Sequence, residues 1–526
     1  MRIHVLSLVV AFSILSYLDR HEWFYLDDWD FLILRGFHNS QQSIWFPHNE
    51  HWTSLPILLY RLAFTLAGLH SWWLLTGCLL LVHLALAHLI WRTSIRIGVN
   101  SWMATALTAV FLLLGAGWEN LVSSFQISFV APVAFGFAAI LAEGLHFRPR
   151  SRMVLIWMLT VAALMCSGIG ITMTFGVGAF LVFQRRMHRA AVAVSVPLAT
   201  YLAWYVLVGH KGLGIDHVTL GSLLQVPSFV WAGLSSALGT TFGLVTAGPF
   251  LLLALLGWAL VTVRKADTAH ATGLALALTA VALYASIGPV RSQLGVGIAA
   301  TPRYIYVAIA LLLPAIGLAL TQLVRWHQEA RLGVFGIILI VLVSNLGLLH
   351  TGSQFRTAQA QADKTKIVAD AAVTTDGDRP LAARPVPSLP LTSADLTGFS
   401  RRGLLPSVKL TVADQADAVF AVDVAVTALP IFGGRLRVTV PPTANPGCAA
   451  TTTLTGVVPS GGGSLIVASS ITQAASLSLR TAARASSSPI AVTLFPGYDV
   501  INVSAPGTTI TVSTAGPPGV GVCSQE

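Results

Sequence analysis

The run YIYVAIALLLPAIGLAL, Tyr304–Leu320, carries no charged side chain along its whole length. A helix needs roughly 20 apolar residues to cross the hydrocarbon of a bilayer, so this one is expected to continue into its flanks. Arg303 stands before it and Arg325 shortly after it. Ten further segments repeat the pattern: Ile3–Leu18, Trp72–Trp91, Trp102–Gly115, Ile127–Ala142, Met153–Cys166, Ile169–Phe183, Ala190–Val208, Gly248–Val263, Ala271–Ile287 and Val334–Leu349. Together they predict an all-α polytopic membrane bundle of about eleven transmembrane helices.

The basic residues orient that bundle. Arg92 and Arg96, then Arg148, Arg150 and Arg152, then Arg185, Arg186 and Arg189, then Arg264 and Lys265, then Arg325 and Arg331 fall in every second loop. With Arg2 at the start, the positive-inside bias places those loops in the cytoplasm. The N-terminus is then inside, and everything after His350 is outside a cytoplasmic (inner) membrane. Composition agrees: 55% of residues are hydrophobic and only 10% are charged. The net charge of +10 is spread over short loops rather than massed in one patch, so no nucleic-acid partner is expected. A cleaved leader would need a small-x-small site after Ile3–Leu18. Ser16-Tyr17-Leu18-Asp19-Arg20 offers none, and a retained first helix is expected.

The chain to residue 350 forms the membrane domain, with external loops at 19–71, 209–247 and 288–303. In the first loop, Phe31–Phe37 and Leu55–Leu69 suit short helices lying in the membrane interface. The second opens with His210, Lys211 and Asp216 and turns amphipathic, and the third brackets a Gly-rich turn between Arg291 and Arg303. Residues 351–407 read as a helical stalk (Gln354–Val373) and a Pro-rich linker. From 408 to 526 come short alternating runs at Val408–Val412, Ala418–Val426, Arg435–Val440, Ser464–Ala468, Ala491–Phe495 and Thr508–Val512, parted by Gly, Pro and Asn turns. That pattern predicts a C-terminal extracytoplasmic β-sandwich.

Of the four cysteines, Cys78 and Cys166 lie in apolar runs and read as packing residues. Cys448 and Cys523 stand near the two edges of the β-rich region. In an exported domain they are expected to form a disulfide, and two separate thiols are the alternative.

Chemistry concentrates just beyond the first apolar segment, in Tyr25-Leu26-Asp27-Asp28-Trp29-Asp30. Crowded carboxylates repel, so either one holds its proton more tightly or a divalent cation (Mg, Mn or Ca) is shared by Asp27 and Asp28. Either state suits a general base acting on a hydroxyl. A solvated loop end is the bland reading, weakened by the aromatic neighbours Trp23, Phe24, Tyr25 and Trp29. Further along the loop come His48-Asn49-Glu50-His51-Trp52 and Tyr60-Arg61. The histidines match no metal-ligand spacing, so contact of His48, Glu50, His51 and Arg61 with substrate hydroxyls or phosphate is the better expectation. His83 and His88 read as hydrogen-bonded bundle histidines. Arg291, Arg303 and Tyr304, with Lys211 in support, stand where a guanidinium can grip a phosphate at headgroup depth. Snorkelling to lipid is the alternative there.

These residues resemble the membrane-embedded C-type glycosyltransferases that use polyprenyl-phosphate sugars. The resemblance rests on the acidic pair Asp27-Asp28 after the first span, the long first external loop, the eleven-span plan and the external arginines. The β-rich C-terminus looks like the carbohydrate-binding appendages of bacterial arabinosyl- and mannosyltransferases of this group. In architecture the likeness covers the whole chain, while in motif it rests on the acidic pair. It implies a lipid-linked sugar donor, a glycan, lipid or protein acceptor, and inverting transfer outside the membrane. Asp27 or Asp28 would be the base, and Arg291 and Arg303 would hold the departing phosphate. Two other classes compete: a transporter or flippase of lipid-linked sugars, which needs polar groups at mid-membrane, and a non-catalytic envelope scaffold.

Overall fold

The computed structural model describes residues 1–35, 42–70, 72–212, 218–263, 268–375, 389–415, 418 and seven strands between 453 and 524. Two compact units interleave along the chain. One comprises Met1–Glu22, Ser43–Tyr60 and Trp73–Ala358, and the other Trp23–Gln42, Arg61–Trp72 and Gln359–Glu526.

Each of the eleven apolar segments falls largely on a helix of the first unit, Trp72 standing outside both. Among the described residues, eight helices are long and apolar enough to cross a membrane, and the chain is a multi-pass membrane protein. The other three of the eleven segments lie on shorter helices. Ser101–Leu112, Pro149–Leu164 and Ile169–Phe183 have 12, 16 and 15 residues. At about 1.5 Å per residue none reaches the roughly 30 Å of a hydrocarbon core.

Pro302–Trp326 is the axis of this unit. All of its residues from Tyr304 to Leu318 are buried, as an all-apolar helix must be when it is surrounded by others. Thr268–Arg291, Trp73–Arg96 and Ser101–Leu112 pack on it. A further helix, Val226–Thr241, lies within residues 209–247 and packs against Gly248–Thr262, Thr268–Arg291 and Pro302–Trp326. Its Gly233 meets the Tyr284 ring so closely that an added Cβ would stand 2.2 Å away. Small residues let membrane helices approach in this way. Apolar side chains left exposed, such as Phe250 and Leu260 on Gly248–Thr262 and Leu332 and Ile340 on Ala330–Thr375, are the faces that acyl chains solvate.

Several polar groups inside the unit are paired. His83 Nε2 lies 3.1 Å from the Leu112 carbonyl and therefore carries the proton, while Nδ1, 2.7 Å from the Tyr306 hydroxyl, accepts. His88 meets His4 at 3.2 Å. At the end bearing the arginine-rich loops, Glu143 gathers Arg186 and Arg189 at 2.8 Å and Arg152 at 3.7 Å. Its carboxylate is only 3% exposed, whereas the guanidinia keep partial access to water. Removing the acid therefore costs the charge-assisted bonds more than it strands the cations. Glu143→Ala is expected to lower stability by about 2 kcal/mol. Tryptophan fluorescence on thermal unfolding in detergent measures it, and an unchanged midpoint would refute the bridging role.

In the second unit the strands are β1 Thr453–Val457, β2 Gly463–Ser469, β3 Gln473–Arg480, β4 Ile490–Leu494, β5 Gly497–Val503, β6 Thr509–Thr514 and β7 Val520–Ser524. They form two antiparallel sheets, in the orders β1-β6-β3-β4 and β5-β2-β7. Val408–Val412 is corrected: it is not a strand. Thr411 accepts the Asp414 N–H and bonds the Asp414 carboxylate, opening a helical turn at 412 with reciprocal capping. The runs at Ala418–Val426 and Arg435–Val440, the linker 379–388 and Cys448 lie outside the described residues, apart from Ala418 itself. The Cys448–Cys523 pairing therefore lies outside them too. Gln354–Val373 continues the 46-residue helix Ala330–Thr375.

Candidate active site

The acidic stretch belongs to the second unit. Trp23, Phe24 and Trp29 are buried and pack edge to face or tilted at 5.5–5.9 Å. The Trp23 indole N–H donates to the Leu69 carbonyl at 3.0 Å. Between these anchors the chain turns at Leu26, whose φ of 40° and ψ of −107° lie outside the regions that L-residues favour. Strain of this kind collects at functional sites, where the surroundings hold it in place. The turn leads into Asp27–Trp29, one helical turn that continues as a wider turn over Asp30–Leu34.

The adjacent acids are placed differently. Asp28 is fully buried, and its Oδ2 accepts the Tyr25 N–H at 2.8 Å, so it locks the turn. Asp27 keeps partial exposure, one turn away from Asp30, and the two present carboxylate oxygens within 4.8 Å of each other. A hard divalent cation can bridge such a pair. Asp28, for its part, accepts the Tyr25 N–H through Oδ2. Arg35 follows with its guanidinium 5.7 Å from the Phe31 ring. Burial pulls the Arg35 guanidinium down to about 10, against the supporting charge of Asp30. Arg61 donates from Nε to the Arg35 carbonyl, so it serves to fix this loop.

The remaining candidates belong to the first unit. His48 and His51 exchange backbone hydrogen bonds at 3.0 and 2.9 Å, closing a tight turn. Asn49 occupies the left-handed region there (φ 55°), which Asn tolerates better than most side chains. Glu50 stands at the tip and accepts from the Arg291 guanidinium at 2.8 Å, with His51 Nε2 3.5 Å away. Burial lowers the His51 pKa, with Glu50 opposing that shift. Trp52 stacks flat on Trp204 at 5.1 Å, and Trp204 donates to the Trp45 carbonyl at 2.8 Å. Gly212 passes so near that a Cβ would lie 2.2 Å from the Asn49 carbonyl oxygen. These contacts hold the Glu50 turn on the bundle.

Arg291 ends Thr268–Arg291, and Arg303 is the second residue of Pro302–Trp326. Arg303 Nε lies 2.8 Å from Glu119 Oε2. Tyr304 interacts electrostatically with both arginines and with both Glu50 and Glu119. Lys211 is exposed and joins no ion pair among the described residues. Sequence reasoning found both arginines but not their partners. Glu50 and Arg291 are 241 residues apart, and nothing local links them. The Asp27–Asp30 facing was visible in principle, because residues three apart share one side of a helical turn.

Two features therefore define the chain: a helical membrane bundle, and two groups of charged residues, one acidic and one built from guanidinium–carboxylate pairs. Two solved structures are similar to it. One is ArnT from Cupriavidus metallidurans bound to undecaprenyl phosphate, at 15% identity, over 79% of this chain and 87% of that one, with a TM-score of 0.46. The other is the Archaeoglobus fulgidus oligosaccharyltransferase tethered to an acceptor peptide, at 11% identity, over 77% and 59%, with a TM-score of 0.41. No protein-family model and no curated protein matches the chain.

Proposed function

We propose that the chain is a membrane glycosyltransferase that moves a sugar, with inversion, from a polyprenyl-phosphate donor to a hydroxyl of an envelope glycan, lipid or protein. The working face is the extracytoplasmic side of the inner membrane, where the arginine alternation puts the first loop. The observation that carries this reading is Asp27. Asp27 keeps partial exposure at a strained turn beside the buried Asp28, Trp23, Phe24 and Trp29. In the reaction the acceptor hydroxyl attacks the anomeric carbon and Asp27 takes its proton. The bond from that carbon to the phosphate oxygen breaks, and the lipid phosphate leaves with the electron pair. A phosphate is already an adequate leaving group, so a base plus cationic stabilisation is sufficient. Asp28 positions Asp27. A divalent cation held by Asp27 and Asp30 would supply further positive charge. The β-rich C-terminal region, read as a sandwich, would bind acceptor glycan.

A transporter reading is weaker. Its pathway needs polar groups free to meet cargo deep in the bundle, yet His83 and the Tyr306 hydroxyl of Pro302–Trp326 are bonded to each other. A scaffold reading gives the Leu26 strain no purpose. Arg303→Ala tests the phosphate role. It is expected to raise the donor KM about tenfold and to lower kcat as well, because the charge meets phosphate in both ground and transition states. Steady-state kinetics with the donor varied decides it, and unchanged constants would remove Arg303 from the site.

A further inference from the structure

The two external arginines are both occupied by carboxylates, but the two pairs are not built alike. Arg291 makes a proper hydrogen bond to Glu50 at 2.8 Å. Glu50 is set by the His48–His51 turn, and Gly212 packs on the Asn49 carbonyl beside it. Arg303 and Glu119 also approach to 2.8 Å, yet Arg303 Nε and Glu119 Oε2 are buried atoms that make no aligned hydrogen bond among the described residues. Charge alone holds them. The Arg303 side chain is 40% exposed, more open than that of Arg291. Glu119 itself lies in the first turn of the short helix Glu119–Val122, so its side chain can swing while its backbone stays.

We propose that Glu119 is a placeholder for phosphate on Arg303: the donor's phosphate displaces the Glu119 carboxylate when it binds, and Glu119 returns when the lipid phosphate leaves. This rests on the transferase reading above and adds an exchange step to it. One guanidinium cannot satisfy two full anions as well as one, so the carboxylate competes with the ligand. It also repels the phosphate left after transfer, which favours product release. Arg291–Glu50, in contrast, is a fixed tie of the first loop and takes no part in exchange.

The forecast runs against that for an ordinary binding residue, because removing Glu119's charge should tighten binding. A synthetic polyprenyl phosphate is titrated into purified protein in detergent, with intrinsic tryptophan fluorescence as readout. Glu119→Gln is expected to bind it about two- to fivefold more tightly than wild type, the worth of a partly exposed ion pair. Glu119→Asp, which withdraws the carboxylate by one methylene, is expected to fall between the two and keeps the test alive should Glu119→Gln not fold. Glu50→Gln should show no tightening. Parallel titration with inorganic phosphate separates a lipid headgroup from a free anion. Tightening in either arm supports exchange, and its confinement to the lipid arm would show that the chain must be anchored too. Equal or weaker binding by both Glu119 variants while wild type binds would overturn the exchange alone. No binding of polyprenyl phosphate by any of the proteins would overturn the transferase reading and the exchange with it.

Discussion

Asp27→Asn is expected to lower turnover by about two to four orders of magnitude while the protein still folds and still binds donor. A positioned base contributes roughly that factor to proton transfer. The amide matches the carboxylate in shape but cannot take a proton. Asp27 is partly exposed and contributes no aromatic packing, so its loss should leave the Trp23–Phe24–Trp29 cluster in place. Asp28→Asn should behave differently. The new amide oxygen can still accept the Tyr25 N–H, so its activity is expected to stay well above that of Asp27→Asn. Turnover and folded fraction measured on the same preparations separate the two. If both variants lose activity only in proportion to folded protein, neither acid is chemical.

Gly115→Ala is expected to have the largest effect on stability, a loss of at least about 3 kcal/mol, seen as collapse of monodisperse yield in detergent. A Cβ at position 115 would stand 1.9 Å from the Asn345 carbonyl oxygen and 2.6 Å from the Leu349 nitrogen. Both are backbone atoms of Ala330–Thr375 and cannot rotate aside. The same crossing is tied by the Asn345 side chain, which accepts the Ala116 N–H at 3.1 Å and donates to the Thr241 carbonyl at 2.7 Å. A shift that admits the methyl would strain those bonds too. Normal yield and thermal midpoint would mean that the helix is not held this closely. Gly347→Ala, on the same helix but with nothing within 4 Å of its Cβ, is the control.

Hydrophobicity made the bundle legible. Segments such as Ile127–Ala142 and Ile169–Phe183 coincide with helices to the residue, because exclusion from water is a local property of sequence. Val226–Thr241 escaped because its serines, threonines and glycines read as loop, although those small side chains are what let it pack so closely. Val408–Val412 misled because alternation over a few residues is a weak signal, and the Thr411–Asp414 cap outweighs it. The acids and arginines of the candidate site were legible by type and position. Their division of labour was not. Whether Asp28 or Asp27 is committed to the backbone depends on a strained φ at Leu26, and whether an arginine is tied or exchangeable depends on contacts such as Arg303 with Glu119. Neither is encoded in spacing.

The central claim is transfer of a sugar from a lipid phosphate. Purified protein incubated with a panel of radiolabelled polyprenyl-phosphate sugars and an extract of envelope acceptors tests it most directly. The expected result is transfer of label from one donor, with release of polyprenyl phosphate, by wild type and at most about a hundredth as fast by Asp27→Asn. Equal transfer by the two proteins, or none from any donor by folded wild type, would contradict it.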